Sequence, residues 1–312
     1  MRVLSRRQLK KVNLFTSISL GTVQWGMPYG IANKTGQPGM EEILKILSVA
    51  SSFGINTLDT ARSYGSSESI IGSATRQQNF DFRVITKLSP DIYSQNMSND
   101  EIQLNAKHSI NESMNELKVD TLDTVLIHRG SHRNVRNGVI WKLLRSLKES
   151  GLISKIGVSA VNPTEALEAL GDSSIDVMQV PSSLMDRRLV SRNFFEDAAS
   201  RGIEVHLRSV FLQGVAHLDV SEIPKTLGAL TPEILKITNA AKQLEVEPID
   251  LWINHALGLK VSKIILGVDN ENQLITNIKR IGNLIEKPLS YDCAELSELP
   301  DQFLDPSLWV HE

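Results

Sequence analysis

Four residues of types that act together in proton transfer occur in the chain: Asp59, Tyr64, Lys87 and His128. A phenol has a reference pKa of about 10, so it is a weak acid near neutral pH unless a positive charge favours the phenolate. Lysine supplies such a charge, a carboxylate permits its burial, and histidine can donate a hydrogen bond to a substrate oxygen. The set predicts a pocket that protonates a carbonyl oxygen, with the hydride coming from a cofactor.

Eight short apolar runs, rich in Val, Ile and Leu, alternate with amphipathic segments. Their brevity and composition are typical of buried parallel strands. The predicted strands are 18–23, 55–59, 83–87, 124–128, 155–159, 177–180, 203–207 and 263–267. Between these runs, apolar residues recur at steps of three and four residues. This spacing predicts helices at 41–52, 67–74, 100–117, 139–150, 163–170, 194–200, 231–244 and 272–281.

This alternation predicts an α/β fold with one (β/α)8 TIM barrel over residues 1–312, a lead-in at about 1–15 and a C-terminal tail at about 288–312. The alternative is an open doubly wound sheet. It is disfavoured because residues 21–26 lack the glycine spacing of a dinucleotide fingerprint, and no linker divides the chain. A barrel collects the carboxyl ends of its strands at one mouth, which makes the polar residues there site candidates: Asp59, Lys87, His128, Ser159 and Gln179.

Composition excludes several other classes. The net charge of −3 indicates no general attraction to nucleic acid or to a membrane surface, and no apolar run is long enough for a membrane span. A single cysteine, Cys293, permits no internal disulfide, and no His, Asp or Glu spacing requires a metal. We expect a cytoplasmic protein, monomeric or weakly homo-oligomeric, without a nucleic-acid or membrane partner.

Several segments resemble the motifs of the aldo-keto reductase family. The segment DTARSYGSSE at 59–68 is similar to the family's D-T-A-x-x-Y-G-x-S-E motif. The segments TK at 86–87, DTVLIHR at 123–129 and GVS at 157–159 match later family segments in the same order. The resemblance runs from about residue 20 to about residue 281. It implies a (β/α)8 barrel that transfers hydride between a nicotinamide cofactor and a small-molecule aldehyde or ketone.

The resemblance also implies a role for each matched residue. Tyr64 corresponds to the general acid, Lys87 to the residue that tunes its acidity, Asp59 to the partner of Lys87, and His128 to the residue that orients the carbonyl. Two more matched residues, Ser159 and Gln179, correspond to those that hold the carboxamide of the nicotinamide.

The segment RSVFLQG at 208–214 departs from the family pattern, because Arg208 stands where many members carry an aromatic ring that stacks on the nicotinamide. A guanidinium can stack there, contact an anionic substrate group, or pair with a local carboxylate. This segment resembles a bacterial subgroup linked to carbohydrate pathways. Further cofactor contacts are expected from Ser209, Phe211, Gln213 and Gly214.

A second departure follows the last predicted strand. Five residues there are expected to contact the adenosine half of the cofactor: Gly267, Val268, Asp269, Gln273 and Asn277. Gly267 and Gln273 replace basic residues that many members use for a 2′-phosphate, and the carboxylate of Asp269 would repel that phosphate. The family resemblance favours NADP(H), whereas these residues leave NAD(H) open.

The substrate pocket is expected to involve Trp25, Tyr64, His128 and Arg129. The main hypothesis is an NAD(P)H-dependent reductase acting on a carbonyl compound, with a sugar or sugar derivative as one substrate class. Two alternatives remain open: a nicotinamide-binding regulatory barrel that senses redox state, and a sugar dehydrogenase working in the oxidative direction.

Overall fold

A computed structural model of the chain describes residues 15–309, and the predicted lead-in lies outside them except for Phe15. Eight parallel strands pair in sequence order, and the last strand pairs with the first, so the sheet is a closed barrel. The predicted (β/α)8 barrel is confirmed, and the open sheet is not the fold. The strands are β1 Ile18–Gly21, β2 Thr57–Asp59, β3 Arg83–Lys87, β4 Leu122–Ile127, β5 Ile153–Ser159, β6 Val177–Pro181, β7 Glu204–Arg208 and β8 Lys263–Gly267.

The helices surround the barrel on its outside. In chain order they are α1 Val23–Gly26, α2 Met40–Ser52, α3 Ser67–Gln78, α4 Asn99–Leu117, α5 Val135–Glu149, α6 Pro163–Ala169, α7 Phe194–Ser200, α8 Thr231–Gln243, α9 Pro248–Leu257, α10 Glu271–Glu286 and α11 Asp301–Leu304. Short 3₁₀ helices lie in the connections, at Pro90–Ile92, Gly130–Arg133, Val190–Arg192, Leu212–His217, Val220–Glu222, Lys225–Leu230, Cys293–Glu295 and Pro306–Leu308.

Local chemistry explains where several helices begin. Ser98 accepts from the backbone N–H of Glu101, whose side chain accepts from the Ser98 N–H in return, so α4 starts with a capping box. Asn270 accepts from the N–H of Gln273 at the start of α10. No helix is predicted from the sequence between residues 244 and 263. The structure has a full helix there, α9, with Pro248 in its first turn.

Strand register places the site candidates at one mouth. Gly21 at the end of β1 pairs with Asp59 at the end of β2, and Ser159 at the end of β5 pairs with Gln179 in β6. Four carboxyl ends of strands differ from prediction: β6 and β7 each run one residue further, to Pro181 and Arg208, while β1 and β4 are shorter. β1 stops at Gly21 because Val23 begins a short helix, and β4 stops at Ile127, so His128 is the first residue beyond the strand.

The main hydrophobic cluster lies between the barrel and its surrounding helices, and it includes buried Trp25 and Trp252. Within residues 15–309, no helix is both long and apolar enough to cross a membrane.

Candidate active site

A tight turn after β2 carries Tyr64. Gly65 adopts φ +56, and a Cβ on it would lie 2.2 Å from the Gly26 carbonyl oxygen. Because both positions are glycine, α1 packs directly against this turn: a Cβ on Gly26 would lie 1.8 Å from the Tyr64 carbonyl oxygen. Ser67 fixes the far side of the turn, since its hydroxyl donates to the Thr22 carbonyl and accepts from the Thr60 hydroxyl.

A buried carboxylate, Glu68, stabilises the same turn. It accepts from the Thr86 hydroxyl at 2.6 Å and forms an ion pair with Arg62. The backbone N–H of Arg62 in turn donates to the Lys87 carbonyl at 3.2 Å. The Ser67–Glu68 pair of the sequence motif therefore joins the Tyr64 turn to the strand that carries the lysine.

Lys87 and Asp59 form a buried ion pair. The Lys87 Nζ donates to both Asp59 oxygens, at 3.0 and 2.9 Å, and to the Thr60 carbonyl at 2.8 Å. Burial acts to lower the pKa of Lys87, but the charge of Asp59, aided by that of Tyr64, outweighs it and the pKa is raised. The Lys87 Nζ also lies 4.9 Å from the centroid of the Tyr64 ring, so a protonated ammonium stands beside the phenol.

His128 stands edge-on to Tyr64, with the ring centroids 6.0 Å apart and the planes at 87°. Burial lowers the pKa of His128 to about 3, and the charges of Lys87 and Arg208 act in the same direction, so the imidazole is neutral. Its Nδ1 lies 3.3 Å from the Ser63 hydroxyl. When Ser63 donates this bond, the ring proton is on Nε2, where it is available to a substrate oxygen.

Gln179 joins the ion pair from β6. Its Nε2 donates to Asp59 Oδ1 at 2.7 Å, while its Oε1 is buried without a hydrogen-bond partner among the described residues. This bond fixes the amide orientation and leaves the oxygen as a free acceptor. Ser159, its register partner on β5, is 3 % exposed and lines the same cavity.

One continuous cavity of about 1090 Å³ opens at this mouth, at the upper end of the sizes usual for ligand sites. Most residues expected to form the site line it: Asp59, Tyr64, His128, Arg129, Ser159, Gln179, Arg208, Ser209, Phe211, Gln213, Gly214, Gly267, Asp269, Gln273 and Asn277.

Three residues expected in the site do not line the cavity. Lys87 is buried beneath Asp59, and Val268 packs in the core with 1 % exposure. Trp25, expected as a pocket wall, is fully buried in the core cluster because the short helix α1 carries its ring inward. That expectation for Trp25 is therefore corrected: Tyr29, four residues later, lines the cavity instead.

Arg208 closes β7 and donates to the Ser209 hydroxyl at 3.1 Å and to the Ala160 carbonyl at 3.0 Å. Its Nε is buried without a partner among the described residues. Of the alternatives open from the sequence, the local carboxylate partner is not found within residues 15–309. Arg208 is instead a cation in the cavity wall.

At the opposite end of the cavity, Asp269 and Gln273 bond to each other. Gln273 Oε1 accepts from the Asp269 N–H at 2.8 Å, and its Nε2 lies 3.3 Å from Asp269 Oδ2. Burial raises the pKa of Asp269. A Cβ at Gly267 would lie 2.7 Å from the Gln24 amide nitrogen, so a side chain at this position requires the Gln24 amide to move.

The β1 loop, residues 27–39, covers part of the cavity. The Ile31 N–H donates to the Gln213 carbonyl at 3.1 Å, and the Asn33 amide lies 3.4 Å from Asp269. This loop therefore reaches from the connection after β7 to the turn after β8.

Sequence reasoning missed several residues that line the cavity. They lie in loops, in the tail and on the helices α1, α6 and α10, and include Gln24, Asn33, Ser63, Asn162, Glu165, His217, Asn270, Thr276, Asp305, Pro306 and Ser307. Asn270 could have been found from the sequence, because it is a helix-capping residue just after a strand. The C-terminal tail reaches the cavity through Asp305, Pro306 and Ser307. It is held by Arg187, which donates to the Cys293 and Leu296 carbonyls, and by an ion pair between Arg188 and Asp301.

The unpartnered polar atoms along this cavity fit an elongated polar ligand such as a nicotinamide dinucleotide. Gln24 Oε1, Gln179 Oε1 and Gln213 Oε1 are all buried without partners in the described residues, and all three side chains line the cavity. Native proteins rarely leave such atoms unpaired, so a bound ligand accounts for them. Within residues 15–309, no group of three or more His, Cys, Asp or Glu side chains is arranged for a metal ion.

Comparison with known proteins agrees with this geometry. The sequence pattern of the Aldo/keto reductase family matches residues 17–289. The uncharacterised oxidoreductase YqkF of Bacillus subtilis is 28% identical over 263 residues, which cover 82% of this chain and 84% of YqkF.

Two solved structures share the fold. The aldo-keto reductase AKR11C1 of Bacillus halodurans, in its holo form, superposes with a TM-score of 0.67 at 20% identity, covering 92% of this chain and 89% of its own. PA4992 of Pseudomonas aeruginosa gives a TM-score of 0.64 at 22% identity, covering 86% and 90%.

The barrel and its mouth define an oxidoreductase that uses a nicotinamide cofactor. More specifically, the chain belongs to the aldo/keto reductase family, whose members reduce carbonyl compounds.

Proposed function

We propose that this enzyme reduces an aldehyde or ketone at the mouth of the barrel, with Tyr64 delivering the proton. The observation that carries the proposal is the Lys87–Asp59 ion pair, buried directly beside the Tyr64 ring. A buried ion pair of this kind is costly to build and is weak evidence for stability, but it suits an acid whose conjugate base needs stabilisation.

In this proposal the bound nicotinamide supplies the hydride, and the chain supplies the proton and the orientation. The Tyr64 hydroxyl contacts the substrate oxygen and gives up its proton as negative charge develops there. The Lys87 ammonium stabilises the resulting phenolate, and Asp59 holds the ammonium in place. His128, neutral and with its proton on Nε2, donates a hydrogen bond to the same substrate oxygen.

Ser159 and Gln179 are proposed to hold the carboxamide of the cofactor. The free Gln179 Oε1 would accept from the amide nitrogen, and the Ser159 hydroxyl would meet the amide oxygen. The connection 209–214 and the amino end of α10 are proposed to take the phosphates and adenosine, because helix amino ends favour anions.

The resemblance favoured NADP(H), but the adenosine end supports NAD(H). Asp269 lines the cavity there, and Gln273 is bonded to Asp269. An arginine of the same cavity lining, Arg280, is paired with Asp250 at 2.8 and 2.9 Å. A carboxylate can accept from a ribose hydroxyl, whereas a 2′-phosphate would meet its charge at short range. We propose that NAD(H) binds at least as tightly as NADP(H).

The substrate is proposed to be a small polar carbonyl compound, such as a sugar derivative, because the wall near His128 carries Ser63, Ser131 and Asn162. A cytoplasmic location and a monomeric or weakly associated state are part of the same proposal. The single cysteine, which permits no internal disulfide, supports the location.

The test combines cofactor titration with turnover. Fluorescence titration with NADH and NADPH, side by side, should give saturable binding to the full chain. Steady-state assays with aldoses and small aldehydes should then give reduction that requires the cofactor. Absence of binding by both cofactors would overturn the proposal. Binding without turnover would instead favour a redox-sensing role, and faster reaction of NAD⁺ with aldoses would favour the oxidative direction.

A further inference from the structure

The guanidinium of Arg208 differs from other arginines that are shielded from solvent. Four of these form ion pairs with a carboxylate: Arg62–Glu68, Arg133–Asp172, Arg188–Asp186 and Arg280–Asp250. Within residues 15–309, Arg208 donates to a hydroxyl and a carbonyl, and its buried Nε–H has no partner. A partly buried positive charge without a counter-charge is costly, so this arrangement is explained when a ligand supplies the anion.

The location of Arg208 indicates which ligand that is. The positive charge of Arg208 acts to lower the pKa of His128 and the pKa of Tyr29. Both residues line the cavity, on different loops. His128 is the residue proposed to orient the substrate oxygen, so Arg208 faces the substrate end of the cavity. Within residues 15–309, Arg187 shows the same bonding pattern, with terminal nitrogens that donate to carbonyl oxygens and an Nε without a partner, but it does not line the cavity and instead holds the tail.

A second cation stands at the same mouth. Arg129, the residue after His128, lines the cavity, is exposed, and pairs with no carboxylate within residues 15–309. Two carboxylates of the cavity lining, Glu165 and Asp305, are engaged elsewhere in part: Glu165 Oε2 accepts from the Val161 N–H at 2.9 Å, and Asp305 Oδ1 accepts from the Ser307 N–H at 3.0 Å. Within the described residues, neither Arg208 nor Arg129 forms an ion pair with either of them.

We infer that the substrate carries an anionic group, a carboxylate or a phosphate, and that Arg208 binds it while Tyr64 and His128 engage the carbonyl. The planar fork of a guanidinium matches two oxygens of either group. This inference rests on the proposed function and adds the charge of the substrate to it. It makes Arg208 a specificity-determining residue.

Matched substrate pairs test the inference. Wild-type enzyme is assayed with 4-carboxybenzaldehyde against benzaldehyde, and with glyceraldehyde 3-phosphate against glyceraldehyde. The anionic member of at least one pair should have a kcat/KM roughly 10- to 100-fold higher, the effect expected of a hydrogen bond to a charged group. The pair that shows it identifies carboxylate or phosphate as the anion.

Variants then assign the preference to Arg208. Arg208→Gln should bring the kcat/KM values of the anionic and neutral members of each pair together, mainly by raising the KM of the anionic one. Arg208→Lys should keep part of the preference, because the charge remains without the planar guanidinium. Arg201→Gln removes one exposed surface charge and serves as the control, with the ratio unchanged. A ratio near one in the wild type, or a ratio retained by Arg208→Gln, would overturn the inference.

A binding measurement separates this inference from the proposed function. Benzoate and benzamide are titrated into the NADH complex of the full chain, followed by nicotinamide fluorescence, with inorganic phosphate as a third ligand. Benzoate or phosphate should bind more tightly than benzamide in the wild type and lose that advantage in Arg208→Gln, even if no carbonyl is turned over. If Arg208→Gln changes NADH affinity and leaves anion binding intact, Arg208 contacts the cofactor and the inference fails.

Discussion

The side-chain amide of Gln179 donates to Asp59 Oδ1 at 2.7 Å, so a residue proposed to hold the cofactor also belongs to the hydrogen-bond network of the Lys87–Asp59 ion pair. The same Asp59 oxygen receives the Lys87 ammonium at 3.0 Å. Two functions that the sequence assigned to separate strands, cofactor binding and proton delivery, therefore meet at one oxygen atom.

Replacing Tyr64 by phenylalanine removes only the hydroxyl. We expect turnover to fall by roughly 10²–10⁴, the usual share of general acid catalysis, with little change in cofactor affinity. Steady-state kinetics and NADH titration measure the two quantities separately. Near-wild-type reduction by this variant would exclude Tyr64 as the acid.

Ser63 is expected to set the tautomer of His128 through its bond to Nδ1. Ser63→Ala should lower kcat/KM about three- to tenfold, the effect of one ordinary hydrogen bond, and leave NADH affinity unchanged. Ser66→Ala is the matched control, since Ser66 is exposed in the same turn. Equal losses in both variants would mean that the turn, and not the imidazole, had been disturbed.

Asp269 is expected to disfavour the 2′-phosphate. NADPH should bind more weakly than NADH, and Asp269→Asn should narrow the difference several-fold by removing a nearby negative charge. Glu271→Gln, a charge change outside the cavity lining, is the control. Tighter binding of NADPH by the wild type would contradict the assignment.

The state of His128 predicts how stability depends on pH. Its pKa in the folded protein is about 3, below the ordinary value of 6.5, so between these values the unfolded chain takes up a proton that the folded chain does not. This group therefore lowers stability as pH falls below about 6.5. His128→Gln should show a smaller drop in melting temperature between pH 7 and pH 5 than the wild type. An equal drop would show that the imidazole is not held neutral.

A side chain at position 65 should destabilise the folded protein. Gly65→Ala places a methyl group 2.2 Å from the Gly26 carbonyl, in addition to the strain of positive φ. Gly36 also has positive φ, +75, but a methyl group there would have no atom within 4 Å, so Gly36→Ala reports the strain alone. Gly65→Ala should unfold more easily by roughly 1–3 kcal/mol than Gly36→Ala in denaturant titration. Similar losses would mean that the turn can move away from Gly26.

Much of the barrel was predictable because strand and helix periodicity alternate along the whole chain. The ends of the strands were less certain. Val23 continues an apolar run, so the pattern extended β1 by two residues, but the chain turns into α1 instead. Apolar character alone does not distinguish the last residue of a buried strand from the first of a buried helix.

The site residues also differ in how well the sequence predicts them, depending on whether they lie on strands or on loops. Asp59 and Lys87 lie on strands whose register fixes them, so a strand prediction locates both. Tyr29 and Ser307 reach the cavity through a loop and a tail, whose paths depend on tertiary contacts. Trp25 was misassigned because its size and its place after β1 suggest a wall, whereas packing into the core removes more apolar surface from water.

The contacts that hold the β1 loop over the cavity bear on how fast a bound cofactor can leave. The polar contacts of the loop include one backbone hydrogen bond, one long contact from Asn33, and an exposed ion pair between Lys34 and Glu222 at 2.6 Å, and Ile31 packs against the hydrophobic core. Salt screens the exposed ion pair. We expect the residence time of a bound cofactor to depend on how often this loop detaches, and higher ionic strength to shorten it.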